Sequence, residues 1–280
     1  MKKSRSKIRR WLTASNVFAV MIAIIALLPL LWMVDTSFKP PLAVGQFPPS
    51  LFPHPFTMAN YDSAFGPNNF QRFILNSAVV SLASTLCVLL FGSMAGYSLG
   101  RLPMRGRIGI LVVLLMISVF PEIAVISPLY LLMRDLGWLD SYQALIVPYT
   151  AFNLPFAIWI LRNYFLTIPK EMEEVGRIDG ASGWRILFQI IMPQAAPGLF
   201  VAGTFTFTAC WTELLMAISF DSSMSFRTIP VGIALFGSQF TVPYGTLFAA
   251  STVAILPVAI LVLVFRRSVV SGLTQGAVKG

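Results

Sequence analysis

The chain has 280 residues, with 20 Lys and Arg against 11 Asp and Glu, a formal charge of +9. Hydrophobic residues make up 56% and charged residues only 11%, too apolar a mixture for an ordinary water-soluble domain. A soluble enzyme is thereby excluded, and the expected fold class is all-α, a polytopic membrane bundle whose backbone satisfies its own hydrogen bonds.

Six apolar stretches follow one another: Asn16–Phe38, Phe73–Leu99, Ile108–Leu132, Ala144–Tyr164, Gly198–Phe220 and Leu247–Phe265. Each approaches or exceeds the ~20 residues a helix needs to cross hydrocarbon. The basic start resembles a signal peptide, but the apolar run continues to Trp32 with no small-x-small site after it, so an uncleaved first span is expected. Prolines 29, 121, 128, 148, 155 and 257 fall inside the spans and predict kinks. The division expected is a basic N-terminal segment 1–15, a six-helix domain 16–265 containing a polar loop 166–193, and a tail 266–280. Between the first two spans, Lys39–Arg72 is rich in Pro and aromatics, which predicts an ordered cap. A second such segment, Asp221–Thr246, separates the last two spans.

Charge predicts the orientation. Sixteen of the Lys and Arg residues fall in the two termini and in the segments around Arg101–Arg107 and Arg162–Arg185. Only Lys39, Arg72, Arg134 and Arg227 fall on the other side, so both termini are expected in the cytoplasm. The net charge is then a topology signal, and no stretch interleaves bases with aromatics as a nucleic-acid surface would.

The charged island Pro169–Pro193 reads as two short helices joined at Gly180. Pro169 suits a first helical turn, and Glu171, Glu173 and Glu174 complement a positive helix N-terminus. Gly180 suits a helix stop and Ser182 a cap for the next helix. Trp184, Leu187, Phe188 and Ile191 recur at i, i+3, i+4 and i+7, predicting one apolar face. On composition alone the pair could lie on the bilayer surface or dock on a protein.

This island and the end of the chain carry a resemblance to the permease subunits of bacterial ABC importers. Their cytoplasmic loop has the form EAA, three residues, Gly, then about a dozen residues to a Pro. Here Glu174-Val175-Gly176 stands at the EAA position, Asp179-Gly180-Ala181 at the glycine, and Met192-Pro193 at the end. Val and Gly replace both alanines, while the spacing holds. The ending Gly272-Leu273-Thr274 and Ala277-Val278-Lys279-Gly280 resembles the MalG type of carbohydrate permease. The resemblance implies the MetI-like permease fold in a bacterial plasma (inner) membrane. It also implies a complex of a second, MalF-like permease, two ATPase subunits and an extracytoplasmic solute-binding protein that delivers a sugar, a di- or oligosaccharide.

The resemblance implies that the loop is a coupling helix docking on the ATPase, a role carried to Glu174, Asp179, Gly180 and Ala181, with Met172 and Ile178 supplying apolar contact. By its position in the chain, the external segment around Gln239–Tyr244 is expected to face the sugar cleft of the binding protein. Extended at ~3.3 Å per residue, Arg266–Gly280 would span about 50 Å, enough to reach an ATPase beneath the membrane.

The chain has no GxxxxGK[ST] loop, no metal-ligand cluster and no nucleophile with a base, so no catalysis is expected and ATP and Mg belong to the partner ATPase. Cys87 and Cys210 lie inside spans and read as small apolar residues; His54, the lone histidine, lies in a Pro-rich loop. Asn76 and Asn153 could bond across helices. Glu122 and Glu213 lie in spans, where a carboxylate is costly and marks a candidate site. Glu122 stands between Pro121 and Pro128. Trp211 and Glu213 together offer an aromatic face and a hydroxyl acceptor, the combination a sugar needs; alternatively Glu213 pairs near an interface. A gradient-driven secondary transporter or a non-transporting assembly protein remain the other readings. The first would need a chain of intramembrane ionisable groups.

Overall fold

The computed structural model describes residues 14–221, 223–237 and 242–277. The basic segment before Ala14, residue 222, residues 238–241 (of which 239–241 belong to the expected binding-protein contact) and residues 278–280 lie outside them. In chain order the helices are α1 (Ala14–Ser37), α2 (Ala59–Phe65), α3 (Phe70–Arg101) and α4 (Arg107–Ser118). A 3₁₀ turn (Glu122–Val125), α5 (Ile126–Asp135), α6 (Tyr142–Thr167), α7 (Glu171–Ile178) and α8 (Gly183–Gln194) come next. The series ends with α9 (Ala196–Thr212), α10 (Leu215–Phe220), α11 (Ile229–Ala234) and α12 (Tyr244–Ala277). Among the described residues there is no strand. Among the described residues, four helices are long and apolar enough to cross a membrane, or six segments when each of two bent pairs counts as one.

Two compact units divide the chain. The first comprises Met1–Phe70 and Leu235–Ile255. Its α1 exposes an unbroken apolar surface from Val17 to Trp32, as a helix facing hydrocarbon does. Beyond α1 the chain folds back in turns, as the Pro-rich composition predicts. Lys39 is buried there: its Nζ lies 2.6 Å from Asp35, donates to the Ser50 carbonyl and sits 4.2 Å from the Trp32 ring centre. Asn60, also buried, donates to the carbonyls of Ser37 and Lys39, and Phe38 stacks on Phe56. His54 is exposed.

The second unit comprises Gln71–Ala234 and Leu256–Gly280. Its packing begins with glycines at i, i+4 and i+8 of α3. A Cβ on Gly96 would stand 3.1 Å from the Arg162 amide and 3.3 Å from the Ile158 carbonyl of α6. Gly92 and Gly100 meet Leu161 and Arg162 at 3.4 Å. Small residues on one stripe let two backbones approach closely where no hydrophobic effect drives association. One apolar cluster joins α3, α6, α8 and α9 through Val88, Leu161, Phe165, Ile186, Ile191 and Val201. A second joins α3, α5, α6, α9, α10 and α11 through Val80, Met133, Leu145, Cys210, Phe220 and Val231. Asn76 bridges helices as expected, donating to the carbonyls of Ser225 and Arg227 and accepting from Tyr142. Asn153 donates within its own helix to the Tyr149 carbonyl and across to Cys210 Sγ of α9 at 3.8 Å.

Pro29, Pro148, Pro155 and Pro257 lie inside continuous helices and Pro128 in the first turn of α5, while Pro121 stands at a break, where α4 and the following helix meet at 87°. Conversely, the fifth span is interrupted at Glu213-Leu214, where there is no proline. The end of the chain is not extended as far as Ala277: α12 continues to that residue. Residues 266–277 therefore cover roughly 18 Å, where an extended chain would cover about 40 Å.

Candidate functional site

The polar loop forms the first candidate site. α7 opens after Pro169, which precedes the N-cap Lys170 instead of entering the first turn; the Lys170 carbonyl accepts from Glu173 and Glu174. Its stop is a two-bond reversal. Gly180 N–H donates to the Arg177 carbonyl, Ala181 N–H donates to the Gly176 carbonyl, and Gly180 has φ +76°. This is the Schellman arrangement, which satisfies orphan carbonyls only if the residue after the C-cap enters the left-handed region. Asp179-Gly180-Ala181 thus occupy the C-cap and the two positions after it. Ser182 caps α8 as predicted, its Oγ accepting from Arg185 N–H at 3.4 Å.

α8 departs from the single apolar face. Residues Ile186–Ile191 are π-helical, and the Met192 N–H reaches the Leu187 carbonyl five residues back. The wider turn breaks the 3.6 periodicity. Pro193, without an N–H, leaves the ladder a donor short at this point. Ile186, Leu187 and Ile191 are consequently buried, while Trp184 and Phe188 stack on each other at the surface. An 83° bend then separates α8 from α9.

Of the loop residues expected to meet a partner, Glu174, Asp179, Gly180 and Ile178 are exposed, Ile178 at 85%. Ala181 and Met172 are half-buried and pack on the core of this chain, so Met172 is turned away from the exposed face. Glu173, read from sequence only as one of three acids at a helix start, is buried. Its Oε2 accepts from the Tyr97 hydroxyl at 3.1 Å and lies 3.6 Å from Arg177, while Oε1 lies 3.3 Å from Arg101 Nε. The Arg101 guanidinium also donates to the carbonyls of Phe165 and Ile168, at the free C-terminal end of α6. Sequence reading missed Arg101, Tyr97 and Glu173. The available signal was the Gly92/Gly96/Gly100 stripe, which runs directly into Arg101.

The second candidate site is a cavity of about 360 Å³ whose lining includes Glu122, Tyr149, Asn153, Thr212 and Glu213. Both helix breaks open onto it, so the two intramembrane acids expected as a site do line one space. Glu122 is exposed. Glu213 has a structural duty: Oε1 accepts from Met216 N–H at 2.8 Å, and Oε2 accepts from Ala217 N–H at 3.1 Å and from the Tyr149 hydroxyl at 2.5 Å. It therefore supplies acceptors for the first N–H groups of α10, which have no partner inside that helix. Trp211 does not line the cavity; it is buried and stacked on Phe207 at 5.3 Å, so the sugar-stacking role expected of it is not available. Cys87 and Cys210 are both free thiols.

Comparison with known proteins agrees with this architecture. Residues 88–275 match the family described as "Binding-protein-dependent transport system inner membrane component". The sulfoquinovosyl glycerol transport system permease protein of Agrobacterium fabrum is 39% identical over 264 residues, covering 94% of this chain and 93% of that protein. The trehalose/maltose transport system permease protein of Thermococcus litoralis is 38% identical, covering 94% and 95%. Among solved structures, a chain of a bacterial ABC transporter involved in the import of alginate superposes with a TM-score of 0.77 at 22% identity, over 90% of this chain and 94% of that one. The chain belongs to the inner-membrane permease components of binding-protein-dependent transport systems.

Proposed function

We propose that this permease carries a sugar, a di- or oligosaccharide, through a bacterial ABC importer. The observation that carries the substrate class is the pair of relatives above: both are named for glycosides and both align over 94% of this chain. A cavity of about 360 Å³ lies within the ~300–1,000 Å³ range of small-molecule sites. Glu122, open to that cavity, is the carboxylate best placed to accept sugar hydroxyls, whereas Glu213 is already engaged by three donors.

In this reading both termini and the α7–α8 loop are cytoplasmic, as the distribution of Lys and Arg supports. A second, MalF-like permease completes the path, two ATPase subunits bind ATP and Mg²⁺, and a solute-binding protein delivers the sugar from outside. The exposed face of α7, with Glu174, Ile178, Asp179 and Gly180, docks on an ATPase, and closure of the ATPases moves the loop and reorients the cavity. The test is affinity purification from the native membrane in mild detergent, with mass spectrometry of copurifying proteins, for wild type and Gly180→Pro. Proline holds φ near −65°, removes the N–H that closes on Arg177, and so cannot form the elbow. Recovery of an ATPase that is lost from the variant, while a second permease remains, is expected. An intact wild-type complex without an ATPase would refute the reading.

A further inference from the structure

We infer that Arg101, Glu173 and Tyr97 form a buried joint that makes α7 move together with the ends of α3 and α6, and that they are positioning residues for coupling. This rests on the reading of α7 as the element that receives motion from an ATPase. The three groups come from two elements, and a third supplies carbonyls to them. Arg101 and Tyr97 are in the last turns of α3, Glu173 is in the first turn of α7, and the Phe165 and Ile168 carbonyls lie at the end of α6. The side chains of Arg101 and Glu173 are only 3% and 6% exposed.

The arrangement is over-specified for a simple helix contact. The Arg101 Nε hydrogen is directed to the Phe165 carbonyl, so the 3.3 Å approach of Glu173 Oε1 is a charge contact, and that oxygen has no hydrogen-bond donor. Oε2 is held by Tyr97 and approached by Arg177, whose side chain is 59% exposed and screened by solvent. Arg101 therefore carries most of the charge compensation for this buried carboxylate. Breaking one side of such a pair leaves an uncompensated buried charge, so the partners must travel together when either is displaced.

Apolar packing also ties α7 to the core, through Met172 and through Gly176 against Ile190, but it leaves space beside the joint. Beside the joint, a groove of about 390 Å³ is lined by Met94 and Tyr97 of α3, Leu102 just past it, Arg177 of α7, and Trp184 and Leu187 of α8. With that space open, a push on α7 could be absorbed by closing the groove, unless the polar joint transmits it. Two planar groups, the guanidinium and the carboxylate, connect α7 to both α3 and α6. These are two helices already locked to each other by the Gly92/Gly96/Gly100 stripe.

The experiment reconstitutes the complete importer, with its binding protein and sugar, in liposomes and measures sugar transported per ATP hydrolysed. Glu173→Gln removes the charge at constant shape, and Tyr97→Phe removes one hydrogen bond. Arg134→Gln, in an exposed pair with Asp135, is the control. The expected result is a fall in transported sugar per ATP of about tenfold for Glu173→Gln and two- to fivefold for Tyr97→Phe, with no change for Arg134→Gln. A merely stabilising role would lower the amount of complex and leave this ratio alone. An assembled Glu173→Gln complex with the wild-type ratio overturns the inference. Should that variant not assemble, an unchanged ratio in Tyr97→Phe overturns it equally. Absence of ATP-dependent uptake by the wild type would instead overturn the functional reading beneath it.

Discussion

Replacing Gly96 by alanine tests the packing on which the α7 joint depends. The new Cβ would stand 3.1 Å from Arg162 N, 3.3 Å from Ile158 O and 3.3 Å from Leu161 Cβ. Two of those atoms are α6 backbone, so no side-chain rotation relieves the contact; α6 itself must retreat by a few tenths of an ångström. Helix propensity favours alanine by ~0.8–1.0 kcal/mol. Overpacking costs ~1–3 kcal/mol. The net expected is a loss of about 0–2 kcal/mol. Gly109→Ala in α4 supplies the reference, because a Cβ there meets nothing within 4 Å and only the propensity gain applies. Thermal unfolding of the assembled complex in detergent, followed by size-exclusion of the surviving fraction, measures both. Gly96→Ala should have the lower midpoint of the two, by an amount that reflects the overpacking cost. A Gly96→Ala complex as stable as Gly109→Ala would refute the close approach of α3 and α6.

Gly176 stands where the family loop carries alanine. Its added Cβ would lie 2.7 Å from Ile190 Cδ1, the far end of a flexible side chain. Gly176→Ala should then be near neutral, a propensity gain of ~0.8–1.0 kcal/mol offsetting an Ile190 adjustment of similar size, whereas Gly176→Leu should release the ATPase on copurification. Glu213→Gln should destabilise by ~1–3 kcal/mol, since an amide has one acceptor oxygen and leaves an α10 N–H unpartnered; reduced uptake with unchanged thermal stability would show that Glu213 serves substrate instead. Asp221, just past α10, is buried, and burial together with the charge of Asp140 pushes its carboxyl up to about 7. Between the ordinary value of 3.8 and about 7 the folded chain holds a proton that the unfolded chain has released, so stability falls as pH rises through that window and stays low above it. Asp221→Asn should raise the unfolding midpoint at pH 8 and change it little below pH 4; an equal shift at both would refute the assignment.

Several features were determined by the sequence alone because they depend only on local chemistry. Apolar length must become helix in hydrocarbon, and the runs at Asn16–Phe38 and Phe73–Leu99 did. Asp179-Gly180-Ala181 before Ser182 specified a helix stop and a cap without tertiary help, since only glycine enters the left-handed region at no steric cost. Other features had no local signature. The prolines gave no guide to where a span would break: four lie inside unbroken helices, since a proline in a spanning helix is accommodated by its neighbours. The break at Glu213 arose instead where a carboxylate could take over the N–H groups of the next helix and a tyrosine 64 residues away could hold it. The regular apolar spacing from Trp184 to Ile191 promised one face, and a π-turn divided it. Glu173 looked like one more acid at a helix start until the glycine stripe of α3 brought Arg101 beneath it. Which charges are paired, which helices touch and where a cavity opens depend on groups distant in sequence meeting in space; only the tertiary structure decided them.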